Sequence, residues 1–443
     1  MSVYFAIIAY TLLFYILIII ILRVVSPEKH LGWSSINLKQ TSFPDSFQWG
    51  VATAAHQIEG NNHNNWSDFE NRTGIEKSGD ACNHWKLWKT DFDLLEELGV
   101  SNYRFSIEWS RIQPEQDSWN EEAVGVYSEM VDDLLKRGIK PVVTLHHFTH
   151  PIWFEELGGF YQKENISHWV DYCERLFGVL GDRVKDWCTV NEPEVVSIMG
   201  YQMKMFPPGQ RSALKTIRVM RNMIDAHSQI YHRLKSHSSE IRVGLAKNIT
   251  LFDPLYRWNL VHWITSIVLD HIWNGAIISA LRKGRMFGRK IPGAKSSIDF
   301  IGLNYYTHVL TSPFLPQTTE IDLPKRSHEV MTEFGYPMYA EGLERSVKRL
   351  AKLNVPIEIT ENGVADSEDT LRPEHLQRHL WMVSELLKQG FDIRSYYHWS
   401  LLDNFEWAEG YKLRFGLYHV NYETQERTLK ESGKLYQSII KNS

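Results

Sequence analysis

Two glutamates, Glu192 and Glu361, each close a short apolar run and are each followed by residues that break a strand. The first stands in D-W-C-T-V-N-E-P (Asp186 to Pro193) and the second in P-I-E-I-T-E-N-G (Pro356 to Gly363). A charge at the end of a β-branched, aromatic-rich run sits where a buried strand emerges into a loop, and in a barrel of parallel strands that end carries the chemistry. Two carboxylates there suggest an acid and a nucleophile. Other apolar runs place Gln57, Arg104, His147, Asn191, Tyr306, Trp399, Glu406 and Trp407 at or just after their ends. Singly, each has an ordinary explanation, an ion pair for Arg104 or packing for a tryptophan. Together they form a set of carboxylates, hydrogen-bonding amides and flat aromatics without a metal-ligand cluster. Such a set suits cleavage of an acetal through an oxocarbenium-like transition state, with no metal or cofactor expected.

Eight strand-like runs supply these ends: Phe47 to Ala55, Asn102 to Ile107, Lys140 to His146, Asp186 to Asn191, Ile241 to Asn248, Ile298 to Tyr306, Pro356 to Thr360 and Ile393 to Trp399. Between them lie amphipathic stretches read as helices: Asp91 to Leu98, Glu122 to Arg137, His168 to Leu180, Leu214 to Ser236, Tyr339 to Leu353 and Arg372 to Gln389. Strands alternating with helices imply parallel strands, because each crossover must bury a sheet face. Eight repeats close as an α/β fold of the (β/α)8 TIM-barrel type. An open doubly wound sheet would carry a glycine-rich phosphate loop after its first strand. Here that strand leads into A-A-H-Q-I-E-G instead, and no such loop follows any strand.

The motifs resemble those of glycoside hydrolase family 1, the retaining β-glycosidases that include β-glucosidases, β-galactosidases and 6-phospho-β-glycosidases. The resemblance covers residues 43 to 438. It rests on F-Q-W-G-V-A-T-A-A-H-Q-I-E-G near the start, Y-R-F-S-I-E-W-S-R-I (Tyr103 to Ile112), T-V-N-E-P, D-F-I-G-L-N-Y-Y (Asp299 to Tyr306), I-T-E-N-G and H-W-S-L-L-D-N-F-E-W-A-E-G-Y (His398 to Tyr411). It implies Glu192 as general acid/base and Glu361 as nucleophile, with Arg104 and Tyr306 touching the nucleophile. It further implies Asn191 at the sugar's 2-hydroxyl, Gln57, His147, Glu406 and Trp407 as the clamp on the other hydroxyls, and Trp399 under the ring. The implied substrate is a β-glycoside, small or part of a glycolipid. Membrane-associated relatives that transfer galactose between galactolipids, and relatives that serve only as receptor modules, mark the alternatives.

Two departures stand out. Phe148 occupies the place of the family's usual tryptophan after the third strand, as in the 6-phospho-β-galactosidase branch. That branch has serine where this chain has Glu406, and a carboxylate there would repel a sugar phosphate, so a non-phosphorylated glycone is expected. The stretches Pro207 to Lys290 and His308 to Tyr336 match the family poorly, and the first contains an apolar helical run around Trp258, Trp263 and Trp273. Barrel packing or a membrane-facing lip would each account for that run.

The chain has 443 residues, 43% hydrophobic, with a net charge of −5, which excludes a polyelectrolyte-like nucleic-acid binder and permits one large core. Three scattered cysteines argue against a disulfide framework. The sequons at Asn65, Asn71, Asn165 and Asn248 bear on function only in a glycosylating compartment. Val3 to Leu22 carries no charge and, at 1.5 Å per residue, reaches about 30 Å, enough to cross a hydrocarbon core. The expected organisation is a transmembrane anchor over residues 1–25, a stalk over 26–41 and the barrel over 42–443. Arg23, Lys29 and Lys39 all follow the apolar run, so the positive-inside rule places the catalytic domain in the cytoplasm.

Overall fold

The computed structural model describes residues 2–314 and 323–443. Its centre is a closed barrel of eight parallel strands, β1 (Gln48–Ala52), β2 (Asn102–Ser106), β3 (Lys140–His146), β4 (Asp186–Asn191), β5 (Arg242–Asn248), β6 (Phe300–Asn304), β7 (Ile357–Asn362) and β8 (Ile393–Trp399). Each strand pairs with its neighbours in chain order, and β1 closes on β8 from Gln48 opposite Ser395 to Ala52 opposite Trp399. All eight expected strands are present. β7 runs two residues further than expected, because Glu361 is ion-paired and stays in register with Asn304 of β6. β2, β4, β6 and β7 are buried along their whole length, as strands covered on both faces must be.

At the N-terminal end of the barrel, Asp186 pairs with Lys140 at 2.5 Å and with Arg242 at 2.9 Å, and Arg242 reaches Glu358 at 2.5 Å. These charges tie β3, β4, β5 and β7 together at the end that does no chemistry. The opposite end is kept free for function.

Around the barrel stand helices α1 (Ser2–Val25), α2 (His84–Leu98), α3 (Glu121–Lys136), α4 (Ile166–Leu180), α5 (Ala213–His237), α6 (Leu260–Asp270), α7 (Ala276–Lys283), α8 (Gly342–Leu350), α9 (Arg372–Lys388) and α10 (Glu431–Lys441), with further helical segments in the connections, Asn65–Thr73 and Pro193–Ile198 among them. α3 shows why they start and stop where they do. Asn120 caps its first turn by accepting from the Ala123 amide, Glu121 and Glu122 meet the positive end of the dipole, and Lys136 meets the negative end. The sequence did not reveal three additions, one of them a small hairpin of Arg285–Met286 with Arg289–Lys290. Leu251–Pro254 pairs in parallel with His308–Thr311 just past β5 and β6, and Tyr418–Val420 forms a hairpin with Arg427–Leu429. All three are too short to show a period. Of the poorly matching stretch His308 to Tyr336, residues 315–322 lie outside the described residues.

α1 is long and apolar enough to cross a membrane by length and composition. The segment expected as a stalk is docked over its first part. Lys29 meets Glu344 of α8 at 2.7 Å, and Glu341 accepts from the Leu31 amide and the Trp33 indole, each at 2.9 Å. Glu28 is held between Arg257 and Arg326. The three cysteines are buried and free, as expected. Asn65 and Asn165 are buried, and Asn248 is engaged in the site below, which leaves Asn71 as the one solvent-facing sequon.

Candidate active site

Every residue singled out from the sequence sits at the C-terminal end of the barrel. Gln57 lies in the turn of helix after β1, Arg104 in β2, His147 directly after β3, and Asn191 at the end of β4 with Glu192 next to it. Tyr306 follows β6, Glu361 belongs to β7, Trp399 ends β8, and Glu406 and Trp407 lie in the loop beyond it. Glu192 takes a left-handed backbone conformation at φ 46°, which turns the chain sharply from β4 into the helix begun by Pro193.

Arg104 organises the centre. One guanidinium nitrogen donates to Glu361 Oε1 at 2.5 Å, and the other donates to Asn191 Oδ1 at 2.7 Å. The Tyr306 hydroxyl donates to the second oxygen of Glu361 at 2.7 Å. Glu192 meets no cation among the described residues. Its Oε1 accepts from two amides, Asn304 at 2.8 Å and Asn248 at 3.2 Å.

This asymmetry decides where the proton lies. Burial, and then the nearby charge of Glu361, push the Glu192 carboxyl up to about 8. Burial also raises Glu361, but the Arg104 charge and the hydrogen bonds from Arg104 and Tyr306 oppose it. The net shift of Glu361 is still upward, but of the two carboxyls the one without a cation, Glu192, is the better placed to hold a proton and the one bonded to Arg104 the better placed to ionise.

The same network fixes a tautomer. Asn191 Oδ1 accepts from Arg104 and also from Asn304 at 3.1 Å, so its Nδ2 must be the atom facing His147 Nε2 at 3.1 Å. That nitrogen then accepts, and the proton sits on His147 Nδ1. Burial, reinforced by the Arg104 charge, holds His147 well below the usual histidine range, so the ring is neutral. Its Nδ1 is buried without a partner among the described residues, and so is Gln57 Oε1. One free donor and one free acceptor in the same pocket suit hydroxyl groups, which are both. The Gln57 amide nitrogen is already spent on Asn404 Oδ1 at 2.9 Å and the Phe405 carbonyl at 2.8 Å.

The floor is aromatic. His147 stacks on Trp399 with centroids 5.7 Å apart and on Trp407 at 6.0 Å. Phe148 packs against Trp407 at 4.9 Å from a left-handed backbone at φ 71°, so it keeps the apolar wall and supplies no N–H. Burial pushes Glu406 up to about 8. A carboxyl that is partly protonated repels a phosphate less than a fully ionised one would.

Three residues of the site were not singled out from the sequence: Asn248, Asn304 and Thr360. Thr360 donates to Asn304 Oδ1 at 2.6 Å, which orients the Asn304 amide so that its nitrogen serves both Glu192 and Asn191. The available signal was that β4, β5, β6 and β7 all end in asparagine, at Asn191, Asn248, Asn304 and Asn362. Because the Asn248 amide favours the ionised form of Glu192, Asn248→Ala raises the Glu192 pKa. The alkaline limb of a kcat/KM profile then moves to higher pH, and an unmoved limb would remove Asn248 from this role.

Next to the site, Lys247 and Glu194 form a wholly buried ion pair at 2.8 Å, and Glu194 also accepts from the backbone N–H of Asn248 at 2.8 Å. Lys247→Met strands a buried carboxylate and is expected to cost about 3–5 kcal/mol in urea unfolding. The double variant Lys247→Met, Glu194→Leu is expected to recover most of that, and equal losses in both would show that packing, not charge, is responsible.

A model of glycosyl hydrolase family 1 matches residues 39–286 and 288–443. The match runs through both stretches that read as divergent, residues 207–290 and 308–336, apart from position 287. Beta-glucosidase A of Thermotoga maritima is 33% identical over 450 residues, covering 92% of this chain and 99% of its own. The structure of a beta-glycosidase from Pyrococcus horikoshii shares 38% identity with a TM-score of 0.83, covering 90% of this chain and 95% of that one. The Thermotoga maritima beta-glucosidase solved in complex with glucoimidazole superposes with a TM-score of 0.84 at 33% identity, covering 91% and 99%.

Proposed function

The chain belongs to glycosyl hydrolase family 1 and is a retaining β-glycosidase, and from that premise we propose how its residues divide the work. Glu361 is the nucleophile and Glu192 the acid/base. The observation that carries the assignment is the single guanidinium at the centre, which contacts Glu361 and not Glu192.

In the first step a Glu361 oxygen bonds to the anomeric carbon while the bond from that carbon to the aglycone oxygen breaks. Glu192 gives its proton to the departing oxygen, so the aglycone leaves as a neutral alcohol. The ester removes the charge of Glu361, and with it one of the causes that hold Glu192 protonated. Glu192, left ionised by that proton transfer, now takes a proton from water as the water oxygen attacks the anomeric carbon and the ester bond breaks, which frees Glu361 as a carboxylate and Glu192 as an acid. Two inversions return the β configuration.

Asn191, held by Arg104, meets the 2-hydroxyl, where contacts strengthen as charge develops on the ring. His147 Nδ1–H and Gln57 Oε1 hold further hydroxyls together with Glu406 and Trp407, and Trp399 lies under the ring. The glycone is a non-phosphorylated glucosyl or galactosyl group. The named relatives are glucosidases and glycosidases, so water is the acceptor rather than a second sugar.

A 2-deoxy-2-fluoro-β-glucoside with a good leaving group tests the assignment. Its fluorine starves the oxocarbenium-like transition states of electron density, so the ester accumulates. The adduct is expected on the peptide containing Glu361, and a label on any other residue would overturn this division of roles.

α1 is read as a single-pass membrane anchor, with Arg23, Lys29 and Lys39 on the cytoplasmic side together with the barrel. Protease digestion of sealed inside-out and right-side-out vesicles distinguishes this orientation from the reverse.

A further inference from the structure

Helix α6 is built inside out for a surface in water. His262, Trp263 and Ser266 face the barrel and are buried, whereas Val261, Ile264, Ile267 and Val268 face outward, each about half exposed. Just before the helix, Tyr256 is 52% and Trp258 61% exposed. A surface helix in water shows the opposite arrangement, with its polar stripe outward. The inward polar groups are not misplaced. Ser266 donates to the Phe252 carbonyl at 2.6 Å, and His262 Nδ1 accepts from the Tyr256 amide at 3.2 Å. Rotating the helix to hide its aliphatic stripe would strand both. The orientation is therefore specified, and the exposed apolar stripe follows from it.

α1 meets the chain at the start of this helix. Its partly buried residues Tyr15, Ile18, Ile19 and Leu22 recur at helical spacing. The Tyr15 hydroxyl donates to the Trp258 carbonyl at 2.5 Å and accepts from the Leu260 amide at 3.4 Å. Arg23 donates to the Arg257 carbonyl at 3.3 Å. Tyr15 stands eight residues before Arg23, which is about 12 Å along a helix axis. The Tyr15 side chain reaches back to Trp258, next in sequence to the Arg257 that Arg23 holds, so if Arg23 marks the level of the headgroups, Arg257, Trp258 and the start of α6 lie at the headgroup and acyl boundary. α1 cannot insert along its apolar length without carrying the start of α6 down with it.

The stretch from Leu260 to Lys283 is itself long and apolar enough to span a membrane. It does not span here, because its inner side is pinned to the barrel. Asn274 is buried and donates to the Thr250 carbonyl at 2.7 Å, and Trp273 donates to Asn248 Oδ1 at 3.1 Å.

We propose that the outer face of α6, with Tyr256 and Trp258, is a second membrane contact, seated in the headgroup and acyl boundary of a lipid bilayer alongside α1. The partner is lipid, because the stripe is aliphatic, is bordered by Tyr and Trp as interfacial segments are, and continues onto a helix of membrane-spanning length. Charges collect beyond it, where Arg257 bonds Glu28 at 2.9 Å and the Ser26 carbonyl at 3.0 Å. This inference rests on reading α1 as an anchor.

Site-directed spin labelling of the full chain tests it. The native thiols are buried, so one introduced cysteine takes the label. The positions are Val261→Cys, Ile264→Cys and Val268→Cys on the stripe, Ile16→Cys in α1, and Ser239→Cys on an exposed turn as the aqueous reference. Each variant is placed at one copy per nanodisc of phosphatidylcholine and phosphatidylglycerol, and turnover of an aryl β-glucoside confirms its fold. Oxygen, which partitions into lipid, is expected to relax the labels at 261, 264, 268 and 16 several-fold more than a water-soluble nickel chelate does, with the reverse at 239. A lipid signal at 16 with an aqueous signal along the stripe overturns the second contact and leaves the anchor standing. An aqueous signal at 16 as well overturns both. Shielding of the stripe from both reagents means that protein, such as a second copy, covers it, and this too overturns the proposal.

Discussion

Glu361→Gly is expected to lower kcat on an aryl β-glucoside by on the order of 10⁵-fold, as removal of a covalent nucleophile does when the rest of the site remains. The site should stay assembled, because Arg104 retains Asn191 and the Thr360 carbonyl as partners. The vacated volume admits a small anion beside the guanidinium. Azide should therefore restore turnover, attack the anomeric carbon directly, and give a single inversion. The product to look for is the α-glycosyl azide, identified by its anomeric proton coupling. A β-glycosyl azide from this variant would mean that the covalent ester still forms, and the nucleophile would have to be sought elsewhere.

Glu192→Ala makes the complementary case, and its effect depends on the leaving group. With an alkyl β-glucoside, whose oxygen cannot depart without a proton, the fall in kcat/KM is expected to be about 10³–10⁴-fold. With a dinitrophenyl β-glucoside, which needs no proton, the first step survives. Breakdown of the ester then limits turnover, so kcat and KM fall together while their ratio changes little. Azide now attacks the ester itself, and two inversions give the β-glycosyl azide. The wild type supplies a pH signature as well. Glu192 works protonated in the first step, and its pKa is pushed up to about 8, so kcat/KM holds below that pH and declines as pH rises through it. In Glu192→Ala that alkaline decline should vanish. Its persistence would assign the limb to another group, of which Glu406, also near 8, is the first to examine.

Much of this was legible in the chain because a parallel barrel writes its strands as continuous apolar runs and its chemistry at their ends. β3, β4 and β8 coincide with the runs read from the sequence, and Glu192 and Glu361 were visible as charges where such runs stop. Asn304 and Asn248 were hidden for a different reason. An asparagine at a strand end is also an ordinary turn residue, and only the register that sets Asn248 opposite Asn304, and Asn304 opposite Glu361, shows that they face one centre. Residues 26–36 read as a spacer because Glu341 and Glu344, which hold them, lie some three hundred positions away. The outward stripe of α6 was readable as an apolar helix. Which side it turned to the barrel depended on the partners of His262 and Ser266, which no periodicity carries.

The guanidinium of Arg104 joins the attacking carboxylate to the amide assigned to the 2-hydroxyl through a single planar group of fixed bond lengths. The spacing between attack and recognition at carbon 2 is therefore ruled by covalent geometry rather than by packing that breathes with temperature. A mannoside, whose 2-hydroxyl points to the opposite face of the ring, meets a gauge that cannot be reset by repacking. Discrimination against it should thus persist on heating, even as the looser grip on the remaining hydroxyls relaxes.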